Sequence, residues 1–222
     1  MLLVLMPATG YARKRGVPHV VHPGQTVDIP GLTSVVARQQ CENWAWAAAL
    51  ESILKTQSVD LRQSYWIMKS AGGELCKDDA TDLDALAKLI TGEYILSDGQ
   101  KVRLAASAQA GAPDQVDLLI AAPRSGRPLL LFWKGHPYLY RGMIYDEIVA
   151  ATGDKEFEIR QLNLLDPYFT GAEKQAAVFK RDADDPAEIN GLLDVVATPV
   201  EPPNWLHPEK ELDHPTEIYF PK

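Results

Sequence analysis

Gln39-Gln40-Cys41-Glu42-Asn43-Trp44-Ala45-Trp46-Ala47-Ala48 leads into the most regular apolar segment of the chain. Across residues 44–55 the apolar side chains of Trp46, Ala49, Leu50, Ile53 and Leu54 recur at three- and four-residue spacing, the period of one helix face. Asn43 stands where a side-chain oxygen can cap the first turn. The spacing predicts one buried helix, entered from a polar loop.

Outward from that helix the pattern stays helical for a while and then changes. A second helix is predicted over residues 61–68, stopped by Gly72-Gly73, and a third over 82–89, with Asp82 as its N-cap and Gly92 beyond its end. After the Ser97-Asp98-Gly99 turn come a short strand at 102–104 and a helix near 114–121. Upstream, residues 13–37 are rich in Gly, Pro, Val and Thr and read as loops with short strands at Val20-Val21 and 26–29. Past residue 128 the apolar pattern becomes strand-like at 128–133, 136–145 and 157–165, with Lys134-Gly135 and Thr152-Gly153-Asp154 between them, and shorter strands at 177–179 and 195–197. The expected fold class is α+β, with an N-terminal helical half packed on a C-terminal antiparallel β-sheet half.

The predicted organisation is a lead-in over 1–30, a single domain over 31–198 and a proline-rich tail over 199–222. Pro199, Pro202, Pro203, Pro208, Pro215 and Pro221 exclude a long helix or a central strand in that tail. Trp205, Leu206, Tyr219 and Phe220 give it apolar anchors. At the start, the apolar residues 2–6 followed by Gly10-Tyr11-Ala12 look like the remnant of a secretory signal, with an ordinary strand or a disordered end as the equal alternative.

With 222 residues, 46% hydrophobic and 23% charged, the chain suits one well-buried core. A net charge of -8 from dispersed acids argues against nucleic acid as a partner. No apolar run approaches the roughly 20 residues of a membrane-spanning helix, so no span is expected. Two cysteines are too few for a disulfide scaffold and form no zinc pattern. His19 and His22 lack a third ligand and read as a solvated loop pair, so neither a metal nor a cofactor is expected. Oligomeric state is left open by the sequence.

The 39–48 stretch resembles the papain-like cysteine peptidases (papain superfamily), and its Asn-Trp-x-Trp-Ala-Ala form is similar to a bacterial branch of them. In that family a glutamine precedes the nucleophilic cysteine by six positions, and the cysteine, followed by Trp-Ala, opens a buried helix. Gln39 matches the glutamine, Trp46-Ala47 matches the Trp-Ala pair, and Ala45 occupies the nucleophile position. The spacing has a chemical reason. A thiolate at a helix N-terminus is stabilised by the helix dipole and a neighbouring histidinium, while the glutamine amide and a backbone N–H hold the oxyanion of the tetrahedral intermediate. Alanine supplies the backbone donor without the nucleophile.

Two further residues extend the resemblance. His136, at the start of a strand after Lys134-Gly135, resembles the Gly-His strand opening whose imidazole is the general base. Asp166-Pro167 resembles the Asp-Pro that supplies the acid orienting the imidazole. Asn163 is a rival acceptor, set on the opposite strand face from Asp166 by alternation. Each residue also has a plainer reading: a Trp-rich core helix, a structural histidine, a turn after a strand.

The resemblance covers residues 39–168 and implies a peptide or protein substrate, hydrolysed through a thioester if a cysteine stood at 45. With Ala45 it implies an inactive form, a natural pseudopeptidase that binds peptides or proteins, or an acyltransferase relative. It also implies a Cys41–Cys76 disulfide and hence a secreted or periplasmic protein. Two free thiols in a cytoplasmic protein, or Cys41 as a displaced nucleophile, are the alternatives.

Overall fold

The computed structural model describes residues 19–73, 76, 82–111, 116–168, 178–182 and 189–201. In chain order its elements are β1 (His19–Asp28), a 3-10 turn (Leu32–Ser34), α1 (Ala45–Thr56), α2 (Gln63–Ala71), α3 (Leu83–Ile90), β2 (Gly92–Ile95), β3 (Lys101–Ala110), α4 (Asp117–Arg124), β4 (Leu129–Trp133), β5 (His136–Ala150), β6 (Lys155–Leu165), β7 (Val178–Asp182) and β8 (Ile189–Pro199). The strands form one sheet in the order β2-β3-β8-β4-β5-β6-β7, with β1 also pairing β5. Every pairing between described strands is antiparallel. The chain is therefore α+β.

Leu-Leu-Leu-Phe-Trp at β4 explains where the layers lie. All five residues are buried, which a strand requires only when both of its faces are covered. Leu130 and Phe132 pack with α1, α2 and α3, whereas Leu129, Leu131 and Trp133 pack with α4, Tyr138, Tyr140 and Met143. Helix α1 is buried around its circumference from Ala45 to Leu54, as expected of a helix that is apolar on nearly every side. On the other face, Tyr140 donates its hydroxyl to the Leu119 carbonyl at 2.7 Å and ties β5 to α4.

Strand β5 is the scaffold of this sheet. β6 runs along one edge of it, and the opposite edge is shared by β4 at residues 136–140 and β1 at residues 142–150. Gly142 sits at the junction of those two partners. A Cβ there would lie 2.1 Å from the Val27 carbonyl oxygen and 2.7 Å from the Asp28 Cα, both main-chain atoms with no rotamer to yield. Beside it the Arg141 guanidinium grips both oxygens of Asp28. Gly142→Ala is expected to destabilise the fold by about 1–3 kcal/mol, the usual cost of overpacking a rigid site. The loss should fall first on β1, read as faster amide exchange at Val27 and Ile29 than at Leu130. Equal protection in variant and parent would contradict this packing.

Several sequence expectations need correction. Trp44, not Asn43, is the N-cap residue of α1, and no side chain caps that end. The Asn43 amide is turned away, donating to the Cys76 carbonyl at 3.1 Å. Helix α2 runs further than predicted, to Gly72 in the left-handed conformation, a natural stop. The strand predicted at 102–104 is ten residues long. Its Ala105 to Ala110 portion has weak strand propensity but is held by pairing with β8. His19 and His22 lie on strand β1, exposed, and not in a loop. The α4 segment starts later than predicted and runs through Pro123. Strands β1, β2 and β3 and helix α4 are interleaved, so the halves are not cleanly helical then sheet. The 1–18 segment, the tail beyond 201 and the predicted residue 177 lie outside the described residues. Among the described residues no helix is long and apolar enough to cross a membrane.

Candidate active site

A cleft of about 210 Å³ opens where the N-terminus of α1 meets the β4–β5 turn. Its walls include Ala45, Trp46, Phe132, His136 and Asn190. Ala45 is the first residue of α1 and 5% exposed. In the first helical turn the backbone N–H groups have no carbonyl four residues earlier to bond, and no side chain takes that place here. The positive end of the helix dipole thus faces the cleft without a side-chain cap.

His136 is delivered by the tightest turn in the sheet. Trp133 pairs with His136 across Lys134-Gly135, and these two residues have φ 50° and 76°, as a two-residue hairpin of the twist-matched kind requires. The Gly135 N–H donates to Asn190 Oδ1, so β8 pins the turn from the side. Lys134 Nζ lies over the Trp133 ring, 4.6 Å from its centroid. By alternation His136 shares a strand face with Tyr138, and the two rings meet edge to face at 4.7 Å.

Asp166 reaches the same histidine by register. Leu139 pairs with Leu165, so one step further Asp166 falls opposite Tyr138 and diagonal to His136, within reach across the strands. His136 Nε2 and Asp166 Oδ1 are 3.3 Å apart, with the side chains 41% and 14% exposed. The same Asp166 oxygen accepts from the Tyr168 N–H at 2.8 Å, which closes the Asp-Pro turn and fixes the carboxylate. Engaging Nε2 leaves Nδ1 as the second ring nitrogen available to act as base. Asn163, the rival acceptor, instead accepts from Gln161 Nε2 at 2.7 Å.

Gln39 is 8% exposed. Its N–H donates to the Pro167 carbonyl at 3.0 Å, coupling it to the Asp166 turn. Its Nε2 donates to the Glu42 carbonyl at 3.0 Å, and Glu42 borders the cleft beside Ala45. A primary amide has a second N–H to offer. Gln39 Oε1 is buried without a partner among the described residues. Cys41 and Cys76 stand at disulfide distance, with Cα atoms 5.7 Å apart.

Ala45 and His136 are thus brought to one cleft, Asp166 to His136, and Gln39 to the loop entering α1. Sequence reasoning missed Asn190 and Phe132. Asn190 lies outside any motif, and Phe132 reads only as a strand residue. It also missed the buried polar side chains Glu51, Ser52 and Gln63, although Glu51 and Ser52 interrupt an otherwise apolar helix and could have signalled a buried network. No protein-family model matches the chain, and no curated protein matches it.

Proposed function

We propose that the chain is a papain-like cysteine peptidase in a catalytically silent form: its cleft accepts a peptide, and the thioester step is missing because Ala45 occupies the nucleophile position. The observation that carries this reading is the shared cleft of Ala45 and His136, with Asp166 at 3.3 Å from the histidine's Nε2. Each group then has one task. His136 removes a proton at the residue-45 side of the ring, Asp166 fixes the tautomer and orientation, and Gln39 with the Ala45 N–H offers donors to a carbonyl oxygen as it becomes an oxyanion. With a methyl group at 45 the attack has no electron pair to begin with, and what remains is peptide binding. A native gene encoding alanine at position 45 would favour the pseudopeptidase form of this reading over a silenced enzyme; transfer of the acyl group to an amine would share the same groups and differ only in its acceptor. The proposed disulfide fits a secreted or periplasmic setting.

The test is chemical. Ala45→Cys, with Cys41 and Cys76 engaged with each other, should be labelled at residue 45 by an alkylating peptide probe of the kind used for cysteine peptidases, and an excess of peptide should protect it. A correctly folded Ala45→Cys protein that takes up no label at 45 would overturn the assignment.

A further inference from the structure

The loop that carries Gln39 is clamped by a buried polar network built from α1 and α2. Gln63, the first residue of α2, is 1% exposed. Its Oε1 accepts from the Gln40 N–H at 2.9 Å, and its Nε2 donates to the Arg38 carbonyl at 2.9 Å and to Glu51 Oε2 at 3.3 Å. The peptide groups on both sides of Gln39 therefore bond to one side chain. Gln63 is itself anchored, since its N–H donates to the same Glu51 oxygen at 2.9 Å. Glu51 is 7% exposed in the middle of α1, and its other oxygen pairs with Lys55 at 2.6 Å. One step upstream, the Ala37 N–H donates to Ser52 Oγ at 2.8 Å.

This clamp has a task, because the Gln39 side chain is in an unfavourable place. Its Oε1 is buried and has no partner among the described residues, which costs free energy that a turn toward water would recover. Turning the amide over in place would set Oε1 against the Glu42 carbonyl, oxygen against oxygen. With its main chain held from one side by Gln63 and from the other by Pro167, Gln39 keeps Nε2 on Glu42 at the cleft rim. A buried charged group such as Glu51 is retained only where its partners satisfy it, and here those partners are Gln63 and Lys55.

We propose that Gln63, anchored by Glu51, is the positioning residue that holds the Gln39 amide in place as an oxyanion donor. Its catalytic meaning rests on the papain-like reading of the cleft, whereas its positioning role does not, and the experiment separates the two. In the Ala45 protein, the two Nε2 protons of Gln39 should give distinct, slowly exchanging signals by NMR. Gln63→Met should move both signals toward the positions of a free glutamine side chain and speed their exchange with water, while the amides of residues 47–50 stay unmoved. Unchanged Gln39 signals would overturn the proposal.

In the Ala45→Cys background, Gln63→Met should lower kcat for peptide hydrolysis by about 10- to 100-fold, approaching the loss of one oxyanion donor. The rate at which iodoacetamide alkylates the thiol introduced at residue 45 should stay within about twofold, because that displacement develops no oxyanion. Equal loss of both rates would mean a merely structural role and would also overturn the proposal. If Gln63→Met does not fold, Glu51→Gln, which keeps the shape and loses the charge, is read by the same criteria. Gln39 signals shifted and exchanging faster in Gln63→Met, beside an Ala45→Cys protein that neither alkylates nor hydrolyses, would uphold the positioning and remove the peptidase reading.

Discussion

Ala45→Cys is expected to raise the rate of peptide or activated-ester hydrolysis over the parent by about 10³-fold or more, and His136→Ala in that background to remove most of the gain. The size follows from the role of the missing atom. A nucleophile and its base act as a unit, so losing either costs about as much as losing both, and only the binding and oxyanion contributions survive. On the proposed reading the parent keeps those contributions and has nothing to acylate. Asp166→Asn should cost less than His136→Ala, since it leaves the base in place and disturbs the 3.3 Å contact that orients it. Steady-state hydrolysis with the three variants side by side checks the order. Equal rates for Ala45→Cys with and without His136→Ala would separate the histidine from any chemistry at residue 45.

The second large effect concerns the entry to α1. Joining Cys41 to Cys76 closes a loop spanning a sequence separation of 35 residues, and a loop of that size restricts the unfolded chain by about 3–4 kcal/mol. Reduction, or Cys41→Ser with Cys76→Ser, should therefore lower the melting temperature by roughly 10 °C, given the few degrees per kcal/mol typical of a domain this large. The change should be felt near the cleft as well, because the Asn43 amide bonds the Cys76 carbonyl and Asn43 borders the cleft. Superimposable melting curves with and without reductant, or two thiols titrating in the native protein, would contradict the pairing.

What could be read from the sequence was whatever a local pattern determines. The α1 helix followed from its apolar spacing, and β4 from five apolar residues ahead of Lys134-Gly135, because burial on both faces writes itself as an unbroken run. The α+β class followed from the change of period near residue 128. Strand β3 was underestimated because alanine and serine carry no strand signal of their own, and only the β8 partner makes them extended. Strand β1 looked like scattered short pieces because its pairing shifts register between His22 and Gln25. At the site, Gln39, Ala45, His136 and Asp166 could be singled out because each belongs to a recognisable short motif. Gln63 and Asn190 could not, since each acts through main-chain atoms far along the chain, and a hydrogen bond to a backbone group leaves no imprint on the partner's residue type.

The split edge of β5 also dictates an order of assembly. β1 joins residues that follow it by more than a hundred positions, as in Asp28 with Gly142, so during synthesis it must wait until its template has been made. Until then, the amide and carbonyl groups along 142–150 form a bare ledge that another nascent chain could occupy. Contacts of such long range are also slow to form. Among the described strands the first to be made is thus left waiting for its partner, and conditions that delay its arrival will favour aggregates seeded at that ledge over the folded chain.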